Sequence, residues 1–595
     1  MSNNTNSPKK ELTGYPSIDK PWLKYYDENA ADRVTEKANI SAYKYVLNAN
    51  RNNFNSYALE YFGRKITYRE LFENIHIVAK SLKACGVSKG DFVSVCLPNI
   101  PEIVYFIYAL NRIGAVACLI DPRTNAEGIL ERANKSNSKL VIAVSDILEE
   151  KMIPISGQLI AKMIVSVSPA DSTSALSITG VSVKIIYLFK KKIKLSSKFI
   201  GYKDFLDIGK KLRNRIDGKT SIDAAAIVVY TSGTTGTSKG VVLSNENMIS
   251  SKKLIEYGVS PTNKNASFLG VIPFFSSYGA LTGMNNSLCR GWKIVLIPKF
   301  KPNQFGKLLI KHKAASALGV PRFWSNFAAD NENVDLSFLK NPVCGGDKIS
   351  PSETKKINHY LLSHNANRLK IGYGASEFGG GIVITTKKGG YDINSTGEIL
   401  PGVVGMVIDP ETCEELRYGE DGELCFHSPT MMCGYLHNDK ETNCLTLYKN
   451  GLRYYRTGDK GHISENGCVY IVDRYKRAMM RPDGHTVHAT PIENVIMEHN
   501  DVDICAVVGI PLDLNAGVIP TAFIKLKDNK KGCKRVIDEI DKLCTRKIPE
   551  RDKAHAYVIV DSLPYTLMGK IDYRALESKR FSELNCIIKD NSFFN

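Results

Sequence analysis

The feature that most limits the fold is a rhythm. Short β-branched apolar runs, "DFVSVCL", "KLVIAV", "AAIVVY", "WKIVLIP" and "GIVIT", recur between longer stretches of helical periodicity such as "TYRELFENIHIVAKSLKACG". Runs of that length suit strands buried on both faces, and their alternation with helices predicts α/β layers. At 595 residues, 43% hydrophobic and 24% charged, the chain is long enough for more than one buried core. The N-terminal "MSNNTNSPKKELTG" lacks the apolar centre of a secretory signal, and nowhere do about 18 uncharged apolar residues run together as a membrane span requires. A cytoplasmic protein is the resulting expectation. The 14 cysteines include no C-x-x-C pair, which points to neither a zinc site nor a disulfide scaffold.

Two changes in texture suggest an organisation. The segment around 165–220 is irregular and Lys-rich, with "KIIYLFKKKIKLSSKF" at its centre. That composition suits an acidic membrane surface or partner, but the lysines do not share one face, so the segment reads as a solvated basic insertion. Near Asp473, "DRYKRAMMRPDGHT" places charge, Gly and Pro between two strand-like regions and reads as a hinge. The expected arrangement is therefore a flexible tail at 1–30, a large N-terminal domain of layered α/β subdomains at 31–472, and a small mobile α+β C-terminal domain at 473–595. The balance of 79 basic against 61 acidic residues, +18, favours anionic partners without choosing among them.

The candidate chemistry starts at "VVYTSGTTGTSKGVVLSN", where ten consecutive residues from Thr231 to Gly240 are only Thr, Ser, Gly and one Lys. A linker can have this composition, but it does not belong between two apolar strands. Gly233, Gly236 and Gly240 allow close backbone approach, the hydroxyls of Thr231, Ser232, Thr234 and Thr235 add donors, and Lys239 adds positive charge, so the loop suits phosphate. The spacing is not G-x-x-x-x-G-K-[ST], and a strand rather than a helix follows the Lys.

This loop resembles the T-S-G-[ST]-T-G-x-P-K-G segment of the adenylate-forming superfamily, which includes acyl- and aryl-CoA synthetases. "GYGASE" (372–377), "GELCFHSPTMMCGY" (422–435), "YRTGD" (455–459), "DRYK" (473–476) and "PYTLMGKID" (564–572) follow in the family's order. The resemblance runs from about residue 45 to about residue 577. It implies an enzyme that makes an acyl adenylate from a carboxylate and ATP and then transfers the acyl group to the thiol of CoA. The loop from Thr231 to Lys239 would then hold the β and γ phosphates, with Thr234 counted among the catalytic residues. Tyr373 with Gly374 would face adenine, Ser376 the α-phosphate, and Asp459 with Arg474 the ribose. Glu377 is a hard oxygen ligand suited to Mg2+. Lys570 is implied to bridge the attacking carboxylate and the α-phosphate, Asp473 to be the hinge, and Gly484 with Lys476 to belong to the CoA face.

Departures from the family bear on the substrate. In "IPFFSSYG" (272–279) Ser276 stands where acyl- and aryl-CoA synthetases often have His and peptide-synthetase domains have Asp. Ser276 cannot neutralise an ammonium, so a free α-amino acid would bury an unpaired charge. Phe275, Ser276, Tyr278, Gly279, Gly345 and Gly346 are the expected wall of an apolar acyl pocket. Ser238 replaces the family's Pro and is expected to loosen the phosphate loop.

Other classes fit less well. "GVSKG" (86–90) matches G-x-S-x-G but follows a helix and precedes a strand, the reverse of a nucleophile elbow. The basic residues are dispersed and form no recognised nucleic-acid module. An acyl-AMP ligase that loads a carrier protein, or an aryl-CoA ligase, is the alternative to a fatty acyl-CoA synthetase. Only 19 residues separate Glu377 from Gly397, which leaves no room for the insertion usual in carrier-loading ligases.

Overall fold

The computed structural model describes residues 12–174, 177–188, 196–213, 216, 218, 220–231, 238–329, 334–386, 392–511, 517–527, 534–566 and 570–589. The apolar runs become strands, and the periodic segments become helices against them. One eight-stranded sheet contains β1 (Phe92–Cys96), β2 (Val116–Leu119), β3 (Leu140–Val144), β4 (Met163–Val167), β5 (Phe199–Gly201), β6 (Ala225–Thr231) and β7 (Lys239–Ser244). Its order runs from the short strand Gly434–Tyr435 through β7, β6, β2, β1, β3 and β4 to β5. From β6 to β5 every neighbouring pair is parallel, while β6 and β7 form an antiparallel pair. All five residues of β3 are buried, as a strand covered on both faces requires.

Five helices associated with this half are α1 (Tyr68–Ala84), α2 (Pro101–Ile113), α3 (Ile178–Leu188), α4 (Tyr202–Lys211) and α5 (Asn245–Gly258). α1 starts where the Thr67 hydroxyl accepts from the Glu70 N–H at 3.2 Å, and it buries Leu71, Ile75, Val78 and Leu82 along one stripe. α2 begins with Pro at its first position and stops at Gly114, whose φ of 79° closes the helix in the left-handed region.

Here the structure departs from the sequence reading twice. The segment 165–220 is not a solvated insertion: β4 and β5 extend the sheet, and α4 buries Phe205 completely. Gly209 of α4 lies so close to α1 that a Cβ there would meet the Ser81 backbone N at 2.5 Å. The Lys-rich centre of that segment, 189–195, lies outside the described residues; in its described part Lys203, Lys210 and Lys211 occupy the outer face of the amphipathic α4. Nor is the stretch from Leu12 to Ala30 a loose tail. Trp22 is fully buried, and Ser17 donates from both its N–H and its hydroxyl to the Glu415 carboxylate at 3.1 and 2.8 Å.

A second sheet of fourteen strands carries the other half of the large body. α6 (Tyr278–Asn285) packs against α5 and the strand Gly380–Ile384. β8 (Asn341–Gly345) and β9 (Lys370–Ala375) are parallel neighbours in this sheet. Beyond the short helix α7 (Asp439–Cys444), β10 (Leu452–Ile463) and β11 (Cys468–Arg474) form an antiparallel pair. After Arg474 comes a separate unit with its own core of Val487, Ile492, Ile496, Val507, Ile524 and Ile540. α8 (Ala489–Ile496) packs there against a four-stranded sheet of β12 (Val502–Pro511), β13 (Val518–Leu526), β14 (Ala556–Ile559) and Ile587–Ile588. Among the described residues no helix is long and apolar enough to cross a membrane.

Candidate active site

β6 and β7 deliver the two ends of the Thr/Ser/Gly loop to one place, with Thr231 paired to Lys239 in register. Ser232, Gly233, Thr234, Thr235 and Gly236 lie outside the described residues. At the base of the loop the Ser238 hydroxyl donates to the Thr231 carbonyl at 3.0 Å and accepts from Arg132 Nε at 3.2 Å. Ser238 therefore ties the base of the hairpin through hydrogen bonds; the loop it was expected to loosen lies outside the described residues. Lys239 forms an ion pair with Glu441 in the first turn of α7, and its ammonium lies 5.3 Å from the centre of the Tyr435 ring.

Beside it, β9 ends in a turn that presents Ser376 and Glu377. The Ser277 hydroxyl donates to Ser376 Oγ at 3.1 Å. Glu377 Oε1 accepts from the Tyr435 hydroxyl at 2.7 Å, and the Tyr435 and Tyr455 hydroxyls are 3.2 Å apart. A chain of contacts thus runs from Lys239 through Tyr435 to Glu377. Among the described residues no group of three His, Cys, Asp or Glu side chains is placed to hold a metal ion.

Asp459 on β10 is nearly fully buried. It accepts from Arg474 Nε at 2.8 Å and from the Tyr373 hydroxyl at 2.6 Å, so both carboxylate oxygens are held. Arg474 is pushed above the ordinary guanidinium range by this carboxylate. Burial and the same charge push the Tyr373 hydroxyl upward. Gly374 must remain a glycine here, because a Cβ would meet the Gly380 carbonyl oxygen at 1.9 Å.

Lys570 arrives from the smaller unit on a hairpin in which Thr566 N–H donates to the Lys570 carbonyl at 2.8 Å and Tyr565 pairs with Ile571. Arg322 of the large body lies over the Tyr565 ring at 4.2 Å. The Lys570 side chain opens onto the cleft yet is enclosed by surrounding protein, which lowers its pKa. The Asp347 carboxylate opposes that shift most strongly, with smaller help from Asp459 and Glu377, while Arg474 adds to it. Asp473 is buried at the junction, and its carboxylate accepts from the Thr490 N–H and hydroxyl at 3.2 and 3.1 Å. Lys348 Nζ reaches across to the Thr490 carbonyl at 3.2 Å.

One cavity of about 2640 Å³ connects these groups. Thr231, Lys239, Tyr373, Gly374, Ser376, Glu377, Asp459, Asp473, Arg474, Lys476 and Lys570 line it, together with Phe275, Ser276, Tyr278, Gly345 and Gly346. Gly279 does not reach the cavity. A Cβ there would meet the Pro273 carbonyl oxygen at 2.0 Å, so this glycine serves close packing inside α6. The Ser276 hydroxyl donates to the Pro273 carbonyl at 2.7 Å and accepts from Gly279 N–H, so it serves the local turn as well as the wall. Gly484, at φ +79° in a turn closed by Gly484 N–H to the Arg481 carbonyl, lies away from this cavity. Glu441 and Asp347 were not legible as site residues. Tyr435 and Tyr455 stood inside quoted motifs, but nothing in the sequence joined them to Glu377.

The family model of AMP-binding enzymes matches residues 47–436, and that of the AMP-binding enzyme C-terminal domain matches residues 491–570. The long-chain-fatty-acid–CoA ligase of Bacillus subtilis (strain 168) is 28% identical over 531 residues, 87% of this chain and 91% of that protein. The 4-coumarate–CoA ligase-like 1 of Arabidopsis thaliana is 29% identical over 536 residues, 87% of this chain and 90% of that protein. Among solved structures, the anthranilate CoA ligase AuaEII in complex with anthranoyl-AMP superposes with a TM-score of 0.77 at 20% identity, covering 92% of this chain and 98% of that one. The chain belongs to the AMP-binding enzyme family and is an adenylate-forming acid–CoA ligase.

Proposed function

We propose that the acid is a fatty or similarly apolar carboxylic acid. It would be activated by ATP to an acyl adenylate with loss of pyrophosphate, then passed to the CoA thiol with loss of AMP. The observation that carries this reading is the continuity of one cavity, which has Lys570, Asp459, Arg474 and Glu377 at one end and Val271, Phe275, Tyr278, Leu318 and Val343 at the other. An apolar wall without a fixed countercharge at Ser276 favours a hydrocarbon chain over an amino acid.

In the first half-reaction a carboxylate oxygen bonds to the α-phosphorus as the bond to the β-phosphate oxygen breaks. Lys570 then stabilises the anionic charge between the two reactants, a term of about 3–4 kcal/mol for one preorganised donor. Asp459 would accept from the ribose hydroxyls, with Arg474 holding it in place. Tyr373 and Gly374 would border adenine and Ser376 the α-phosphate, while Lys239 and the loop from Thr231, including Thr234, would grip the leaving pyrophosphate. The donor set suits Mg2+: Glu377 is a single hard carboxylate with one oxygen anchored by Tyr435, and Mg2+ takes few protein ligands when phosphates supply the rest. When bound, Mg2+ supplies charge neutralisation at the phosphates.

We assign the large body to the chain through residue 472, including the packed stretch from Leu12 to Ala30, and the small unit to 473–595, with Asp473 as the hinge that lets Gly484 and Lys476 face CoA in the second half-reaction. Gly484's place outside the cavity accords with an arrangement set for adenylation. A carrier-protein thiol is the alternative acceptor.

The test is carboxylate-dependent exchange of labelled pyrophosphate into ATP across a panel of fatty and aryl acids, repeated with CoA while thioester is measured. Exchange with fatty acids followed by thioester supports the assignment. Exchange with aryl acids alone overturns the substrate class, and exchange without thioester moves the acceptor to a carrier protein.

A further inference from the structure

Between β8 and the helix Pro351–Ser363 the large body carries a short turn, Gly346 to Ser350, that none of the quoted motifs covers. It is fixed at both ends. Gly346 turns the chain at φ +83°, a region in which glycine is favoured. Ser350 caps the helix: its hydroxyl accepts from the Glu353 N–H at 3.2 Å, while the Glu353 carboxylate accepts from the Ser350 N–H at 3.1 Å. Between these ends Asp347 Oδ1 accepts from the Lys348 N–H at 2.9 Å, so one bend presents both side chains.

Both act on the small unit. Lys348 Nζ donates to the Thr490 carbonyl at 3.2 Å and lies 3.9 Å from Glu493 Oε2, which gives it two points of contact on α8. Those partners are themselves anchored. Glu493 Oε1 accepts from Arg477 Nη2 at 2.6 Å and from the Val507 N–H at 2.9 Å, and Thr490 is held by Asp473. Asp347 shares the cavity lining with Lys570. Burial pushes the Asp347 carboxyl up, and Lys570 opposes that most strongly. Lys570 is pushed down by burial and finds its strongest opposition in Asp347. Each is thus the other's main electrostatic partner across the boundary between the two bodies. Of the other charges acting on Lys570, Asp459 is held by Arg474 and Tyr373, Glu377 is held by Tyr435, and Arg474 repels the ammonium.

We propose that the turn from Gly346 to Ser350 is the seat on which the small unit docks for adenylation, with Lys348 clamping α8 and Asp347 placing the Lys570 ammonium at the reacting groups. Both are positioning residues for the first half-reaction. The proposal rests on the reading of Lys570 as the group that stabilises that step. Under the proposed rotation these contacts part before the acyl group is transferred, so neither residue serves thioester formation.

The experiment uses the full chain, with pyrophosphate exchange reporting the first half-reaction and thioester formation from supplied acyl adenylate the second. Asp347→Asn keeps a side-chain oxygen to accept from the Lys348 N–H and removes only the charge. It is expected to lower kcat for exchange about ten- to a hundred-fold. KM for ATP and for the acid should stay within about three-fold, and thioester formation within about two-fold. In a Lys570→Ala background the same change should cost less than about two-fold, because its target is gone. The alkaline limb of exchange should also move to lower pH, since only Asp459 and Glu377 then offset burial and Arg474. Asp347→Glu should recover part of the rate. Lys348→Ala should lower exchange about three- to ten-fold without moving that limb, and Lys348→Arg should restore it. Equal loss in both half-reactions by Asp347→Asn, or the same factor with and without Lys570, overturns the role of Asp347. Wild-type exchange in Lys348→Ala overturns the clamp. If Lys570→Ala itself exchanges at the wild-type rate, the reading of Lys570 falls and this proposal with it. If Lys570→Ala loses exchange while Asp347→Asn keeps it, the proposal alone is overturned.

Discussion

The two ends of the cavity are built on different principles. At the proposed nucleotide end charged groups are held by others: Asp459 by Arg474 and Tyr373, Glu377 by Tyr435, Lys239 by Glu441. At the acyl end the wall is shape, made of side chains whose only demand is to fill space, such as Phe275, Leu318 and Val343. The first end depends on residue identity and tolerates no exchange, whereas the second depends on volume and tolerates many. That asymmetry suits a family in which one activation chemistry serves many acids.

The comparison makes its strongest demand at Lys570. Lys570→Ala should lower pyrophosphate exchange by on the order of a hundred- to a thousand-fold, whichever acid is used. Thioester formation from supplied acyl adenylate should stay within about three-fold, since the proposed role of the lysine is confined to the step in which charge builds between carboxylate and phosphate. Equal loss in both assays contradicts this role. Next in size, Asp459→Ala removes a buried carboxylate from Arg474 and Tyr373 and should raise KM for ATP by about ten- to a hundred-fold, with KM for the acid unchanged. A comparable rise in KM for the acid would erase the distinction between the ends.

At the acyl end the effects should be smaller and selective. Gly345→Ala adds a methyl that would lie 3.1 Å from the Gly372 carbonyl and 3.3 Å from the Tyr278 hydroxyl. It should cut kcat/KM for the longest acids about ten-fold while leaving KM for ATP alone. Gly279→Ala, which clashes with backbone away from the cavity, should instead lower the unfolding midpoint and spare the length preference. The smallest effect is on pH. Burial lowers the Lys570 pKa below its ordinary 10.5, and in the proposed role it is the charged form that stabilises the reacting anions. Exchange should therefore persist below the lowered pKa and fall as pH rises through it. The alkaline limb should then appear below 10.5, and Lys570→Arg should remove it from that range even if the rate is low.

How much was legible follows the same divide. Strands at "KLVIAV" and "AAIVVY" were readable because burial on both faces leaves an unbroken apolar run. Tyr373, Ser376, Glu377, Asp459, Arg474 and Lys570 were readable through motifs, and the fold brings them to one cavity. Glu441 was not, because its pairing with Lys239 spans 202 residues and leaves no local trace. The contact of Ser238 with Arg132 was not readable for the same reason, since 106 residues separate them. The described part of the segment 165–220 was misread because composition says nothing of placement: on α4 the lysines are outside while Phe205 is inside.

The hairpin that carries Lys570 meets the large body through the Arg322 guanidinium stacked on Tyr565. A contact of that kind is worth about 0.5–2 kcal/mol, which corresponds to a bias of roughly two- to thirty-fold between a seated and a withdrawn hairpin. Under the proposed rotation this one contact would favour the seated lysine and leave a minority of molecules without it. An acceptor thiol that favours the withdrawn state needs only a modest preference to shift the population.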